Sequence, residues 1–196
     1  MSYNKIGNDP SRILNLLWGS HTVAGRSGLT VGKIVAAGMD IADASGLDQL
    51  SMRKVADRLG VGTMSLYTYV PGKPELLELM LDQVFADMYE NGEVRPKGED
   101  WRQAVRLIAR RNWDLYMKHP WMLDVSGRRP VLGPHTTMKY EMELRALEGI
   151  GLTDVEMDAT LSLGTMHVES CARQKAGMRE SERESGVDDR EWWRGH

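Results

Sequence analysis

The feature that most constrains how this chain can fold is residues 51–73, SMRKVADRLGVGTMSLYTYVPGK, which predict two short helices joined by a tight turn. Ser51 is a suitable N-cap for the first helix, because its hydroxyl can accept a backbone N–H of the first turn. Val55 and Leu59 are four residues apart and share one helix face, which we expect to be buried. Gly60 follows at the position where a left-handed residue ends a helix without steric cost.

The second helix of this segment is predicted to be capped by Thr63 and to continue through Tyr69. Leu66 and Val70, four residues apart, are expected to face inward. Hydroxyl and aromatic side chains are then left on the outer surface with cations around them: Ser65, Tyr67, Thr68, Tyr69, Arg53, Lys54, Arg58 and Lys73. Such a surface fits the groove and the phosphates of a duplex, so we interpret residues 51–73 as a helix-turn-helix.

Composition favours a globular protein. Of the 196 residues, 41% are hydrophobic and 27% are charged, which are ordinary values for a chain that folds around a core. No run of about 18 apolar residues occurs, so the sequence predicts no membrane-spanning helix, and the first residues do not resemble a signal peptide. The single cysteine, Cys171, excludes an intrachain disulfide and fits a reducing cytoplasm.

Charge is distributed unevenly along the chain. Residues 1–74 carry a formal charge of +3 and residues 75–196 carry −6, which together give the −3 of the whole sequence. A mildly basic amino-terminal part on an acidic body is typical of a small DNA-binding module attached to another domain.

The amino-terminal 28 residues are expected to form a flexible arm. They are rich in Asn, Asp, Pro, Ser and Gly, and their apolar residues are concentrated in positions 13–18, which can dock on the body as one or two amphipathic turns. Arg26 either reaches a minor groove or a phosphate, or is an ordinary solvated charge.

The remaining sequence predicts helices and no strands. They run from Leu29 to Ala44, from Pro74 to Tyr89, from Trp101 to Met117, briefly over 121–123, from His135 to Leu147, and from Thr153 to about Ala176. Residues 177–190 are charged and nearly free of apolar side chains, so we expect a solvated loop or a disordered insert there. Trp192 and Trp193 are expected to open a further helix that the given sequence lacks. The prediction is an all-α protein.

These features together resemble the TetR family of bacterial transcriptional regulators. The matching positions lie within residues 29–85, namely Gly46-Leu47, Ser51 to Ala56, Leu59-Gly60-Val61, Ser65-Leu66-Tyr67 and Lys73 to Leu77. Beyond Trp101 the similarity is one of general architecture, with helix breaks at residues 119–120 and 149–152. The resemblance implies a cytoplasmic homodimer whose paired recognition helices bind a palindromic double-stranded DNA operator, and a body with a pocket for a small-molecule effector that releases the DNA.

The resemblance also implies a domain organisation. Residues 1–28 are the flexible arm, residues 29–74 the helix-turn-helix DNA-binding domain, and residues 75–196 the helical ligand-binding and dimerisation domain, without its last helix. No cofactor and no membrane are implied, and the protein is expected at the nucleoid when it is bound to DNA.

By resemblance, eight residues are predicted to bind DNA: Arg53, Thr63, Met64, Ser65, Tyr67, Thr68, Tyr69 and Lys73. Phosphates are the expected targets of both tyrosine hydroxyls and of the Lys73 ammonium. Thr63, Met64 and Thr68 are expected at base edges, with thymine methyl groups as apolar targets, and Arg53 at a guanine or a phosphate. The alternative is that one of the two tyrosines packs in the small core.

The body contains adaptable and aromatic side chains that suit a hydrophobic or aromatic effector. The predicted effector-binding residues are Trp113, Tyr116, Met117, Trp121, Met138, Met142, Leu161 and His167. Methionines at helical spacing also occur as ordinary core residues, and this alternative stays open. No HExxH, Cys-x-x-Cys or carboxylate cluster predicts a metal site, and no nucleophile–base grouping predicts catalysis.

Two other functions are compatible with the sequence. A constitutive DNA-binding protein without an effector would have a filled body. A small-molecule binding protein or enzyme that merely carries a helix-turn-helix is disfavoured, because no catalytic grouping is evident. The sequence thus favours an effector-responsive repressor.

Overall fold

The computed structural model describes residues 10–19, 21, 28–86, 88–89, 100–125, 131–187 and 189–194. In this part of the chain all regular structure is helical, and the predicted all-α fold is confirmed. The helices are α1 (Pro10–Leu17), α2 (Val31–Ser45), α3 (Met52–Leu59), α4 (Thr63–Tyr67), α5 (Lys73–Gln83), α6 (Trp101–Lys118), α7 (Met122–Val125), α8 (Pro134–Arg145), α9 (Asp154–Ser185) and α10 (Asp189–Arg194), with a 3-10 turn at Leu47–Gln49.

The chain forms two compact units. The first comprises Met1–Gly92 with Gly127–Met142, and the second comprises Glu93–Ser126 with Glu143–His196. The predicted domain boundary after residue 74 stays a prediction; α5, which follows that position, belongs to the first unit. No helix among the described residues has the length and apolar character that crossing a bilayer requires.

The first unit is built around α2, which packs against α3 and α5. Its core includes Ile34, Val55, Leu66 and Leu76, all fully buried. Gly38 allows α2 and α5 to approach closely, because a Cβ at this position would lie 2.9 Å from the sulfur of Met80.

The amino-terminal helix α1 also packs on α5 in this unit. Leu17 is buried, and the indole nitrogen of Trp18 donates a hydrogen bond of 2.9 Å to the backbone oxygen of Leu132. Part of the predicted arm is therefore a docked helix. The rest of the arm, including Arg26, lies outside the described residues.

The second unit is organised by the long helix α9, which packs along α6. Thr153 and Glu156 form the predicted capping box: Glu156 accepts hydrogen bonds of 2.8 Å from the backbone N–H and from the hydroxyl of Thr153. These bonds, the backbone one first, lower the pKa of the Glu156 carboxyl. The predicted helix end at His119-Pro120 and the brief helix after it are also present.

The loop or insert predicted at residues 177–190 is wrong over most of its length, because α9 continues to Ser185. The last turns of α9 are stabilised by a surface ion pair instead of by burial: Arg183 pairs with Glu180 at 3.5 Å, three residues apart on the same face. Long charged side chains are good helix formers, so a polar composition does not exclude a helix. Gly186, with φ of 70°, ends α9.

Three smaller predictions need correction. Helix α5 ends at Gln83 rather than Tyr89, because backbone bonds shift to the i+3 pattern of turns, as from Phe85 to Asp82. The N-cap of α4 is Gly62, so Thr63 is its first residue and makes no side-chain cap. Helix α4 ends at Tyr67, which leaves Thr68 and Tyr69 in the following turn.

Candidate DNA-binding surface and effector cavity

Helix α3 is fixed on the first unit by its caps and by one buried face. The Ser51 hydroxyl accepts the backbone N–H of Lys54 at 3.2 Å, as predicted. Val55 and Ala56 are fully buried. Gly60 has φ of 67° and ψ of 31°, the left-handed conformation that turns the chain from α3 into α4. The predicted helix-turn-helix is thus formed by α3, this turn and α4.

Helix α4 presents one face to solvent, because its other face is anchored. Leu66 and the following Val70 are fully buried, whereas Met64 is 77% exposed and Tyr67 is 41% exposed. Ser65 and Thr68 are exposed as well, and Thr63 and Tyr69 are half-buried. Thr68 donates its hydroxyl to the backbone oxygen of Ser65 at 2.7 Å, which leaves the oxygen lone pairs as acceptors.

The basic residues around this face differ in how far they are engaged. The side chain of Arg53 is 86% exposed and lies 4.0 Å from Asp57, a weak surface pair. Arg58 makes a closer pair with Asp40, at 2.7 Å. The Lys73 ammonium donates to the backbone oxygen of Leu47 at 2.9 Å and therefore holds the start of α5 against the chain before α3.

A cavity of about 50 Å³ lies between α6 and α9 in the second unit. Its walls are mostly aliphatic or small: Val105, Ile108, Ala109, Asn112, Leu147, Thr160, Leu161, Gly164, Thr165 and Val168. Most of this lining is apolar, and Asn112 supplies a buried amide at its edge. Such a cavity can hold an apolar group.

The predicted effector-binding residues have different environments. Leu161 lines the cavity, and Trp121 is buried near α7. Trp113, Tyr116 and Met117 are half-buried on α6, and His167 is exposed on α9. Met138, which is largely exposed, and Met142, which is half-buried, belong to the first unit.

The other lining residues were missed, because sequence reasoning gave weight to methionines and aromatics. A signal was present: Thr160, Gly164 and Val168 recur every fourth residue of α9. Residues at this spacing lie on one face of the helix. When they are small or β-branched, their short side chains can leave an unfilled space against the neighbouring helix. Ala109 on α6 is a further small residue of this lining.

Tyr116 is the titratable group most strongly affected in the second unit. Its pKa is raised to about 12, mainly by burial and also by the nearby carboxyl groups of Glu169 and Glu143, while Arg173 acts in the opposite direction. The phenol therefore stays protonated and can act as a hydrogen-bond donor.

Two buried carboxyl groups that the sequence did not single out lie at the two ends of α8. Asp82 accepts the backbone N–H and the hydroxyl of Thr136, at 2.8 and 2.9 Å. Glu143 accepts the side-chain amide of Asn112 at 2.8 Å. Neither residue shows a sequence signal, because one acidic residue on a helix is expected to be solvated.

A metal-binding grouping is not apparent in the part of the chain that the structure describes. In those residues no group of three or more His, Cys, Asp and Glu side chains could hold a metal ion. Cys171 and His167 approach to 3.7 Å on α9, one turn apart, with no third such ligand grouped with them in the described chain.

Comparison with known families and proteins gives a consistent result. The family model "Bacterial regulatory proteins, tetR family" matches residues 34–80, and the model "Tetracyclin repressor-like, C-terminal domain" matches residues 95–195. The HTH-type transcriptional repressor DrrR1 of Streptomyces coeruleorubidus is 42% identical over 189 residues, which are 95% of this chain and 69% of DrrR1. An HTH-type transcriptional regulator of Saccharopolyspora erythraea is 38% identical over 132 residues, 65% of this chain and 53% of the regulator.

Solved structures agree with this assignment. The TetR family protein ActR of Streptomyces coelicolor, in complex with (S)-DNPA, superimposes with a TM-score of 0.69 at 30% identity and covers 76% of this chain and 72% of ActR. ActR in complex with actinorhodin gives the same TM-score and identity, with 77% and 70% covered. The chain therefore belongs to the TetR family of bacterial regulatory proteins, which are DNA-binding, ligand-responsive transcriptional regulators.

Proposed function

We propose that this protein represses transcription as a homodimer that binds a palindromic operator through α4 and leaves it when a small apolar or aromatic effector occupies the second unit. The observation that carries the proposal is the two-sided character of α4. Leu66 and Val70 are fully buried, while the neighbouring Met64 and Tyr67 extend into solvent. A short helix with such a face is suited to enter a major groove.

The DNA contacts follow from the side chains on this face. The Met64 thioether and the Thr63 methyl group suit thymine methyls, and the Thr68 hydroxyl suits a base edge. We assign the Tyr67 and Tyr69 hydroxyls to phosphates and Arg53 to a guanine or a phosphate, with Ser65 on the same DNA-facing surface. Lys73 is assigned a supporting contact, because its ammonium is already bonded to Leu47.

Dimerisation is supported by the outer face of α9. Val155, Leu163 and Met166 are between 66% and 78% exposed, and their spacing of eight and three residues puts them on one side of the helix. Large apolar side chains exposed together on one face of a helix favour an interaction surface. Two copies packed through α9 would cover it.

The effector site is proposed at the cavity between α6 and α9. Leu161 of α9 lies in its wall, and Trp113 and Tyr116 follow the α6 residues that line it. ActR, which is similar to this chain, is known in complex with (S)-DNPA and with actinorhodin. A cavity of about 50 Å³ is much smaller than the roughly 300–1,000 Å³ of drug-sized pockets. We infer that α6 and α9 separate when an aromatic effector enters, and that the effector favours the separated state.

The first experiment is operator selection from random duplexes with the wild-type chain and with Tyr67→Ala and Thr68→Ala. We expect a palindrome to be enriched by the wild type and lost with either substitution. Tyr140→Ala is the matched control, because Tyr140 is exposed on α8, outside the helix-turn-helix, and should leave the selected sequence unchanged. If no sequence is enriched, the proposed function is wrong.

The effector is tested on the selected operator. (S)-DNPA and actinorhodin are the first probes, followed by other aromatic compounds. Ala109→Leu fills the cavity and should raise the effector concentration needed for release at least about tenfold, measured relative to this variant's own affinity for the operator. Release that is unaffected by Ala109→Leu would place the effector elsewhere, and no release by any compound would favour a constitutive DNA-binding protein.

A further inference from the structure

The two buried carboxyl groups of Asp82 and Glu143 engage opposite ends of α8. Asp82, in α5, is only 2% exposed and Glu143, in the last turn of α8, is 1% exposed. Burying such groups is costly unless hydrogen bonds compensate, so both positions are strongly determined by their partners.

The Asp82 end connects α5 with the first turn of α8. Its carboxyl oxygens accept the backbone N–H groups of Thr136 at 2.8 Å and His135 at 3.4 Å, and the His135 ring nitrogen lies 2.8 Å away. These N–H groups have no acceptor within α8, so a side chain of α5 serves as the cap of another helix. Because α5 follows directly on residues 51–73 and packs on α2, α5 and the helix-turn-helix are expected to move as one body.

Gly133 shows how closely the two helices approach at this point. A Cβ atom at residue 133 would lie 2.1 Å from Oδ1 of Asp82. A second contact reinforces the same junction: the Lys139 ammonium lies 5.4 Å from the ring centre of Phe85, just after α5.

The Glu143 end connects the last turn of α8 with the effector cavity. Asn112 of α6 donates its amide to Glu143 at 2.8 Å and to the backbone oxygen of Ile108 at 2.9 Å. Asn112 and Ile108 both line the cavity. A displacement of α6 by an entering ligand therefore has to stretch or move the Asn112–Glu143 bond.

Helix α8 covers the distance between these contacts. It begins in the first unit, and its last turn from Glu143 belongs to the second. The eight residue steps from His135 to Glu143 correspond to about 12 Å of continuous helix. We propose that α8 is the coupling element of this repressor: Glu143 senses the cavity through Asn112, and Asp82 transmits the shift of α8 to α5 and the helix-turn-helix. The inference rests on the proposed function.

The test is a double-mutant cycle on operator affinity with Asp82→Asn and Glu143→Gln. For two independent sites more than about 10 Å apart, the effect of the double substitution equals the product of the two single effects within about twofold. We expect Glu143→Gln, about eighty residues from the recognition helix in sequence, to change the dissociation constant of the selected operator at least about fivefold. In the Asp82→Asn background the same substitution should change it less than about twofold. Effects that simply multiply would overturn the proposal.

Two control variants separate coupling from general damage. Glu141→Gln is the same change on the exposed side of α8 and should have no effect. Val125→Ala shortens a buried apolar side chain of the second unit, which cannot hydrogen-bond to either carboxyl group, so it should lower stability without entering the cycle. If Asp82→Asn does not fold, Thr136→Val replaces it, because valine keeps the shape and removes the hydroxyl bond to Asp82.

A measurement without DNA distinguishes failure of this inference from failure of the proposed function. Hydrogen exchange of the α5 backbone amides is followed in the free protein for the four members of the cycle: the wild type, Asp82→Asn, Glu143→Gln and the double variant. Glu143→Gln should accelerate exchange in residues 73–83 when Asp82 is present and not when it is asparagine. An acceleration confined to α6 and the end of α8 would overturn the coupling, whether or not an operator exists.

Discussion

At the scale of single residues, Gly133 carries a constraint that its sequence context does not reveal. Gly133→Ala would put a methyl group at the position that the Asp82 carboxyl occupies. Because that carboxyl is buried and bonded to Thr136, it can withdraw only by losing those bonds. We expect a loss of about 1–3 kcal/mol in the free energy of unfolding, measured by urea titration. Gly164→Ala, where a Cβ meets nothing within 4 Å, is the control and should not destabilise the chain, because alanine is favoured over glycine within a helix.

Tyr116 predicts a pH dependence at the same scale. Its pKa is raised from 10.0 to about 12, chiefly by burial, so the folded state resists ionisation of the phenol. The stabilising contribution is complete below pH 10 and is lost as the pH rises towards 12. Unfolding measurements should show a shallower loss of stability over this interval in Tyr116→Phe than in the wild type. Tyr140→Phe, an exposed position, should keep the wild-type slope; equal slopes in all three chains would contradict the burial of Tyr116.

At the scale of helices, the predictions from sequence succeeded where a signal was local. Ser51, Gly60 and the Thr153–Glu156 box are short-range chemistry, and each is found as expected. The end of α9 was missed because residues 177–185 have no apolar face, so their helix depends on backbone propensity and surface charge pairs instead of on burial. The bonds of Asp82 could not be predicted, since they join residues more than fifty positions apart.

Helix α9 provides a direct test of its own length. Gly177 is exposed within α9 and a Cβ there meets nothing within 4 Å, so Gly177→Ala should stabilise the chain by about 0.5–1 kcal/mol. Gly186 ends the helix with φ of 70°, and Gly186→Ala should destabilise it by a similar amount because alanine is strained in that conformation. Thermal unfolding measures both. A loop at residue 177 would make the first substitution neutral and refute the continuous helix.

At the scale of the whole molecule, the fold and the family could be predicted from the sequence, because hydrophobic spacing, caps and turns agree over the helix-turn-helix and the body. The cavity that we propose for the effector could not be located from the sequence in this way. A cavity is the space that small residues leave between α6 and α9, and it depends on how two distant helices pack. Methionine and aromatic content describes the composition of the body but does not locate that space, which is why only Leu161 of the predicted set lines it.

The charge distribution of the whole molecule leads to the last prediction. The chain is acidic overall, at −3, so operator binding has to depend on a few local cations near α4. The Arg53 side chain is 86% exposed, whereas the Lys73 ammonium donates a hydrogen bond to the Leu47 carbonyl. If each Arg53 of a homodimer neutralises one phosphate, Arg53→Met should reduce the slope of log affinity against log salt by about 1.8.

Lys73→Met should change that slope less than Arg53→Met and should instead weaken binding at every salt concentration, because it releases the start of α5 from Leu47. Titrations of the selected operator at several salt concentrations measure both slopes. An equal reduction by the two substitutions would mean that Lys73 leaves the carbonyl and binds a phosphate in the complex. The salt dependence thus decides whether this lysine positions the helix-turn-helix or contacts the DNA itself.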